Sequence, residues 1–371
     1  MLVWGCCWFN EEVDCVINFI NNSLNSLKLN NFNTIPVVFV ANTTISDETI
    51  LKLTNSINDV KVIRNKYDLY PNKNYGVYSI VSYAHKISAS NVAIVDPDWN
   101  ILNFNNYVST AILPLLNNEV DIIIPNIGDA SGRSNILIGK TAIELFYNEY
   151  SSNIKSAFPG AVFGSTEALY TIVSSPDYHF DWGGEWDLIS LAIDNNYRLL
   201  SKNVNVINVR HRNNNSKIKD SFQIWRAILS NSNIKDKYSN SKVKKIDHRL
   251  VDILSCCNNI DEIINMLEQL ELSKTEKQLL YMLLYPIKSI IDGKEYTFTI
   301  TDDSSEPYNK DEIYDVYELG LFCINIALKD IDLINIINNA KTMDGGLFGP
   351  WTKENIKDAK ENINKQIERY L

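Results

Sequence analysis

Val92-Ala93-Ile94-Val95-Asp96-Pro97-Asp98 is the stretch on which the fold turns. Four consecutive apolar residues fit a strand buried on both faces of a parallel sheet, and such a strand delivers its carboxylates at the rim of the sheet. In an extended chain residues i and i+2 project to the same side, so Asp96 and Asp98 together suit a divalent metal and a phosphate. The spacing alone is weak, because about one Asp-x-Asp match arises by chance in a chain of this size. Asp330-Ile331-Asp332 is a second match, but it lies between helix-like segments and reads as solvated surface.

The residues around this strand repeat one pattern. Leu2 to Phe9 reads as a strand, after which Val13, Val16, Ile17, Ile20, Leu24 and Leu27 recur at helical spacing. Ile35 to Ala41 is a second strand, Ser46 caps a helix through Ile57, Val60 to Arg64 is a third strand and Tyr75 to Ala89 a helix. This βαβαβ alternation predicts a parallel sheet with helices on both faces and ligands beyond the carboxyl ends of its strands. Further on come a helix near Phe104 to Leu116, a strand Val120 to Pro125, a helix near Ile138 to Tyr150 and a mixed segment Pro159 to Tyr170. A helix Asp187 to Asn196 and a last strand Val204 to Val209 close the first part. From Ser216 the pattern is helical, with Ser273-Lys274-Thr275-Glu276 as a capping box and Thr297 to Thr301 as a weakly alternating interruption. The expectation is an α/β domain over 1–215 and a mainly helical domain over 216–371.

The chain has 371 residues, 45% of them apolar and 22% charged, which is ordinary for a globular protein with a full core. A formal net charge of -10 argues against a general nucleic-acid binder. The six cysteines, Cys6-Cys7, Cys15, Cys256-Cys257 and Cys323, show no metal-binding spacing and read as reduced core residues. Met1-Leu2-Val3-Trp4-Gly5 lacks the basic start of a signal peptide, and no run reaches the roughly 18 apolar residues of a membrane span. The expected location is the cytoplasm. Asparagine runs such as Asn213-Asn214-Asn215 carry no mechanism.

Three more segments should reach the same rim. Asp181-Trp182-Gly183-Gly184-Glu185-Trp186-Asp187 precedes a helix; it is either a glycine turn with acids at a helix start, or a place where the backbone approaches a ligand and the acids face a cleft. Val209-Arg210-His211-Arg212 ends a strand; the histidine is either structural or a ligand beside two arginines that suit a metal-bound diphosphate. Tyr70-Pro71-Asn72-Lys73-Asn74-Tyr75-Gly76 enters a helix with a lysine, which opposes the helix dipole unless it is solvated or has an anion to meet. Together they describe a site for a nucleotide-diphosphate-sugar, whose charge a divalent ion would screen.

The order of strand-end Asp-x-Asp, an acidic Trp-Gly segment before a helix and a later histidine resembles the metal-dependent glycosyltransferases of the GT-A fold. Tyr70 to Val77 (YPNKNYGV), Val95 to Asp98 (VDPD), Pro159 to Glu167 (PGAVFGSTE), Asp181-Trp182-Gly183, His211-Arg212 and the helical tail resemble the mannosylglycerate synthase family. That resemblance implies a cytoplasmic, retaining enzyme that uses Mn²⁺ or Mg²⁺. It would move mannose or glucose from a GDP- or UDP-sugar to a small 2-hydroxy acid such as D-glycerate. It places Asp96 and Asp98 on the metal and diphosphate, His211 in the metal shell with Asp98, and Lys73, Trp182 and Gly183 at the nucleotide sugar, with Glu11 at the base. Glu185 stands where the family has an Asp and is the candidate acid at the sugar, with Asp187 as the second. Arg133, within Gly128 to Asn135, is the candidate for an acceptor carboxylate, since Arg forms a bidentate pair with one. The helical tail is a candidate for closing the acceptor side or for a homodimer interface.

Other readings keep part of this site. A transfer to a larger glycan, protein or lipid-linked acceptor, possible with inversion, would use Glu185 or Asp187 as general base. A nucleotidyltransferase normally has a glycine-rich loop after the first strand, which Gly5-Cys6-Cys7-Trp8-Phe9 is not. A non-catalytic binder of sugar nucleotides is the plainest alternative.

Overall fold

Seven strands form one mixed sheet in the computed structural model, in the order β3-β2-β1-β4-β7-β6-β8. Their ranges are β1 (Leu2–Trp8), β2 (Thr34–Val40), β3 (Lys61–Arg64), β4 (Asn91–Val95), β6 (Ile122–Asn126), β7 (Ala161–Ser165) and β8 (Leu199–Asn203). A separate antiparallel pair joins β5 (Asn100–Ile101) to β9 (Val206–Ile207). The structure describes residues 1–69, 72–101, 104–127, 135–204, 206–207, 223–228, 255–271, 284–285, 287–289, 292 and 351–371.

The alternation of strand and helix gives the expected result through β4. β1 runs parallel to β2 and β4, and β2 parallel to β3, with Gly5 of β1 opposite both Val37 and Ile94. Beyond β4 the expectation of a parallel sheet fails, because β7 pairs antiparallel with both β4 and β6. A short apolar run records burial and not direction, so the reversal at Ala161–Ser165 was invisible in the pattern. β8, Leu-Leu-Ser-Lys-Asn, is half-exposed and pairs only with β6, so it shows no apolar signature; the strand expected at Val204 to Val209 is reduced to β9 among the described residues.

Helices α1 (Val13–Leu29) and α2 (Asp47–Ser56) follow β1 and β2, and Ser46 caps α2 by accepting the Thr49 N–H. After β3 comes α3 (Lys73–Lys86), and after β5 come α4 (Phe104–Tyr107) and α5 (Leu113–Leu116), joined by the π-helical Val108–Ile112. Lys140–Phe146 is α6, α7 (Thr166–Ser174) follows β7, and α8 (Gly183–Asp194) precedes β8. On one face of the sheet Trp4, Trp8, Val38, Ala93, Val95 and Phe163 bury against Val16, Ile20 and Leu27 of α1. Each such side chain contributes about 1.5–3 kcal/mol on burial, which fixes α1 on that face. The other face carries α3 and α8, and Gly76 exists to let α3 approach: a Cβ there would stand 2.6 Å from Cys7 Sγ and 2.7 Å from the Phe39 ring.

The chain divides into two compact units, one of Met1–Ser131, Lys155–Arg210 and Pro350–Leu371, the other of Gly132–Ile154 and His211–Gly349. They are interleaved in sequence, whereas the sequence reading places one boundary at 215/216. In the first unit the helix Lys353–Ile367, capped by Thr352, lies along the edge strand β3. Gln366 bonds both the N–H (3.0 Å) and the carbonyl (2.9 Å) of Arg64, and the Tyr370 hydroxyl both backbone groups of Val62. Side chains thus satisfy the groups an edge strand would offer to another chain. The second unit's described residues include α6 and the helix Ile260–Gln269, whose Ile260, Ile263, Ile264 and Leu267 are buried at helical spacing. The Ser273 capping box and Thr297 to Thr301 lie outside the described residues.

Cys6, Cys7 and Cys257 are buried, but Cys15 and Cys256 are exposed, so the reading of all as core residues holds only in part; these five form no disulfide. No helix among the described residues is long and apolar enough to cross a membrane.

Candidate active site

β1 leads through α1 to β2 on one side of the sheet while β4 lies on the other, so the loops leaving β1 and β4 diverge and leave a crevice at their carboxyl ends. The β1 loop is shaped by Glu11. Its carboxylate accepts the N–H groups of Phe9 (3.0 Å) and Asn10 (3.2 Å), and its carbonyl accepts Trp8 Nε1 (2.8 Å).

The β4 loop is a β-turn and not an extended run. The Trp99 N–H donates to the Asp96 carbonyl at 3.2 Å, with Pro97 at the second turn position, where its fixed φ is favourable. Asp96 and Asp98 are therefore half-buried members of one turn, and the extended-chain argument for their common side does not apply. The turn rests on Gly160, whose carbonyl accepts the Asp96 N–H at 3.2 Å. Gly160 has φ +77°, and a Cβ there would stand 2.8 Å from Asp96 Oδ2 and 3.2 Å from Trp99 Nε1. Only glycine meets both demands.

Lys73, the first residue of α3, has its anion. Its Nζ lies 2.8 Å from Asp96 Oδ2 and 2.7 Å from Glu185 Oε1, and 5.6 Å from the centre of the Trp182 ring. Its side chain is 15% exposed, that of Glu185 9% and that of Asp96 26%. Burial works to lower the Lys73 pKa, but the two carboxylates override it and hold the ammonium well above its ordinary value.

Glu185 is delivered by the turn that opens α8. The fully buried Asp181 accepts the Gly183 N–H at 2.9 Å, and its carbonyl accepts Asn74 Nδ2 at 2.6 Å, which ties α8 to the start of α3. Gly184 is bare for this packing and not for a ligand: a Cβ there would meet the His179 carbonyl at 2.2 Å and Asn74 at 2.6 Å. The two candidate acids part company here. Glu185 faces the crevice with Lys73, while Asp187 accepts the His179 N–H (2.7 Å) and lies 2.8 Å from His179 Nδ1. Burial pushes the Asp187 carboxyl up, against the lowering effect of His179.

A cleft opens beside this bridge, with Lys73, Asn74 and Glu185 at its polar end and Ile94, Ile124, Val162, Leu188 and Ile189 among its walls. The structure thus brings Lys73, Asp96 and Glu185 together, with Trp182 and Gly183 next to them and Glu11 on the adjoining loop. Arg133 and His211 lie outside the described residues, as do Tyr70 and Pro71. No three His, Cys, Asp or Glu side chains among the described residues cluster as a metal site. Sequence reasoning gave no individual role to Gly160, Asp181 or Asn74. Pro159-Gly160 is a turn signal that marks the first of these; Asn74 and Asp181, 107 residues apart, carry no signal of their pairing.

No protein-family model matches the chain, and no curated protein matches it by sequence. Solved structures do match. Glucosyl-3-phosphoglycerate synthase from Mycobacterium tuberculosis in complex with phosphoglyceric acid is 20% identical, with a TM-score of 0.51 over 62% of this chain and 79% of that one. The complexes of the same enzyme with Mn²⁺, UDP-glucose and phosphoglyceric acid (20%, 0.51, 62% and 79%) and with Mn²⁺, UDP and glucosyl-3-phosphoglycerate (19%, 0.50, 62% and 79%) agree. This chain has the GT-A fold, an α/β sheet with flanking helices, and its described C-terminal residues include the helices Ile260–Gln269 and Lys353–Ile367.

Proposed function

We propose that this protein is a metal-dependent glycosyltransferase that moves a hexose from a UDP- or GDP-sugar to a small 2-hydroxy acid of the glycerate type, free or phosphorylated, with retention. The observation that carries the reading is the convergence of Asp96 from β4, Lys73 from α3 and Glu185 from α8 in one half-buried ion bridge next to Asp98. Asp96 and Asp98, half-buried in one turn, offer the hard oxygen donors with which Mg²⁺ or Mn²⁺ is held beside substrate phosphates. The residues therefore fit a divalent cation, which when bound screens the diphosphate and stabilises its charge as the glycosidic bond breaks.

The chain's own groups do the rest. Lys73 exchanges part of its carboxylate bonding for the donor's diphosphate oxygens, and the turn held by Glu11 receives the base. Glu185 is the acid beside the reacting sugar, and Asp187 fixes the loop before α8 through His179. His211 and Arg133 take the roles the resemblance gives them, metal ligand and acceptor-carboxylate partner. The neighbouring structures bind UDP-glucose and phosphoglyceric acid, which supports a donor and acceptor of those classes. A second reading, transfer to a larger or less polar acceptor, is favoured by the apolar cleft walls at Ile94, Val162 and Leu188.

The test is mass-spectrometric detection of product from purified protein with Mn²⁺ or Mg²⁺, GDP- and UDP-sugars, and D-glycerate, 3-phosphoglycerate, D-lactate and glycolate. A small glycoside is expected. Transfer only to larger acceptors moves the protein to the second reading, and neither donor binding nor transfer with metal present overturns both.

A further inference from the structure

Trp351 lies far from Lys73 and Glu185 in sequence, yet it packs against both segments that carry them. Its ring centroid is 5.1 Å from that of Tyr75, two residues after Lys73, and 5.2 Å from that of Phe180, in the loop that leads to Glu185. Tyr75 and Phe180 also pack on each other at 5.3 Å. All three are buried, with Trp351 8% exposed, and Tyr67 adds a further ring 6.3 Å from Tyr75 and 6.4 Å from Trp351. The segment after Trp351 adds a polar tie: the Tyr75 hydroxyl donates to the Ala359 carbonyl at 3.3 Å. Farther along, the same helix is held by Gln366 and Tyr370 on β3, away from the rings.

Asn74, at the start of α3, also holds the loop before α8 by hydrogen bonds: its Nδ2 donates to the Asp181 carbonyl at 2.6 Å, and its Oδ1 accepts from the Tyr178 hydroxyl at 3.2 Å. These bonds all converge on the one side chain of Asn74; the aromatic set adds packing over a broad buried area, which resists tilting of the two segments against each other. The Lys73–Glu185 bond, at 2.7 Å, tolerates little relative movement of these two helix starts. We infer that Trp351 is a positioning residue of the candidate active site: its ring, packed against both Tyr75 and Phe180, braces the spacing of the α3 and α8 starts and so keeps Lys73 on Asp96 and Glu185. Its consequence for transfer rests on the glycosyltransferase reading; its consequence for Lys73 does not.

The experiment measures the rate at which a water-soluble amine-acylating reagent modifies Lys73, followed by peptide mass spectrometry, with the exposed Lys52 as internal reference. Trp351→Ala is expected to raise the Lys73 rate relative to Lys52 by about tenfold, through local opening. Trp351→Phe should stay close to the parent, and Gln366→Ala, which loosens the same helix at β3, should leave the Lys73 ratio unchanged even where it lowers the melting temperature. If Trp351→Ala does not fold, Trp351→Leu takes its place with the same expectation. An unchanged Lys73 ratio in the folded Trp351 variant overturns the inference. So does an equal rise in Gln366→Ala, which would make the effect one of general stability. If the protein is the proposed transferase, Trp351→Ala also raises the donor KM more than it lowers kcat.

Discussion

Replacing Lys73 by Met tests the ion bridge on which the site is built. Met keeps most of the volume and removes the charge, leaving Glu185 at 9% and Asp96 at 26% exposure facing each other without a cation. Removing one partner of a fully buried ion pair costs about 3–5 kcal/mol. Asp96 retains enough solvent access to relieve part of that, so about 2 kcal/mol is expected. Urea unfolding at pH 7 of the parent, Lys73→Met, Glu185→Gln and the double variant forms a cycle. The coupling energy between the two positions should be about 1–2 kcal/mol, with the double variant more stable than Lys73→Met. The pH dependence has a definite sign. The folded-state pKa of Lys73 is raised, so its contribution is fully present below the unfolded value and is lost only as pH rises through the higher folded one. The parent's bridge is therefore insensitive to pH between about 6 and 9. A coupling below about 0.3 kcal/mol would refute the bridge as an energetic unit.

Asp98→Ala should abolish transfer and weaken Mn²⁺-dependent nucleotide binding at least about tenfold by calorimetry, since one of two hard donors is lost; normal turnover would sink the metal assignment. Gly160→Ala forces a side chain into the left-handed region and toward Asp96 Oδ2, so it should cost about 1–2 kcal/mol for the backbone alone. Thermal melting of that variant checks the cost, and its donor binding should fall with it. Asp187 has its folded pKa raised by burial despite His179, so its contribution is fully present below the unfolded carboxylate pKa and declines as pH rises through the folded value. Melting temperatures of the parent minus Asp187→Asn should accordingly fall over that interval. Asp121 is the opposite case: hydrogen bonds from Arg198 hold its carboxyl down, so its contribution is present above the unfolded pKa and lost as pH falls through the folded one. Arg198→Ala should flatten the acid limb of the parent's stability profile.

Much of this was determined by the sequence alone. Periodicity is a local property, so β1 to β4, the helices between them and the Ser46 cap follow from residues within a turn or two of each other. The same holds for Asp96 at a strand end and for Lys73 as a helix-start cation, either solvated or met by an anion, a choice that the sequence left open. Tertiary structure alone decided what depends on distance across the fold. The direction of β7 is set by its pairing with β4 and β6, which no apolar run encodes. Which of Glu185 and Asp187 meets Lys73 is set by the rotation of α8, which turns one to Lys73 and the other back to His179. Gly184 is bare because Asn74 occupies its space, Gly160 because Asp96 does, and Trp351 belongs to the α3 and α8 starts because burial of three rings brings it there. Side chains that meet from remote parts of a chain leave no spacing to read, and their chemistry exists only once packing has set the ångströms between them.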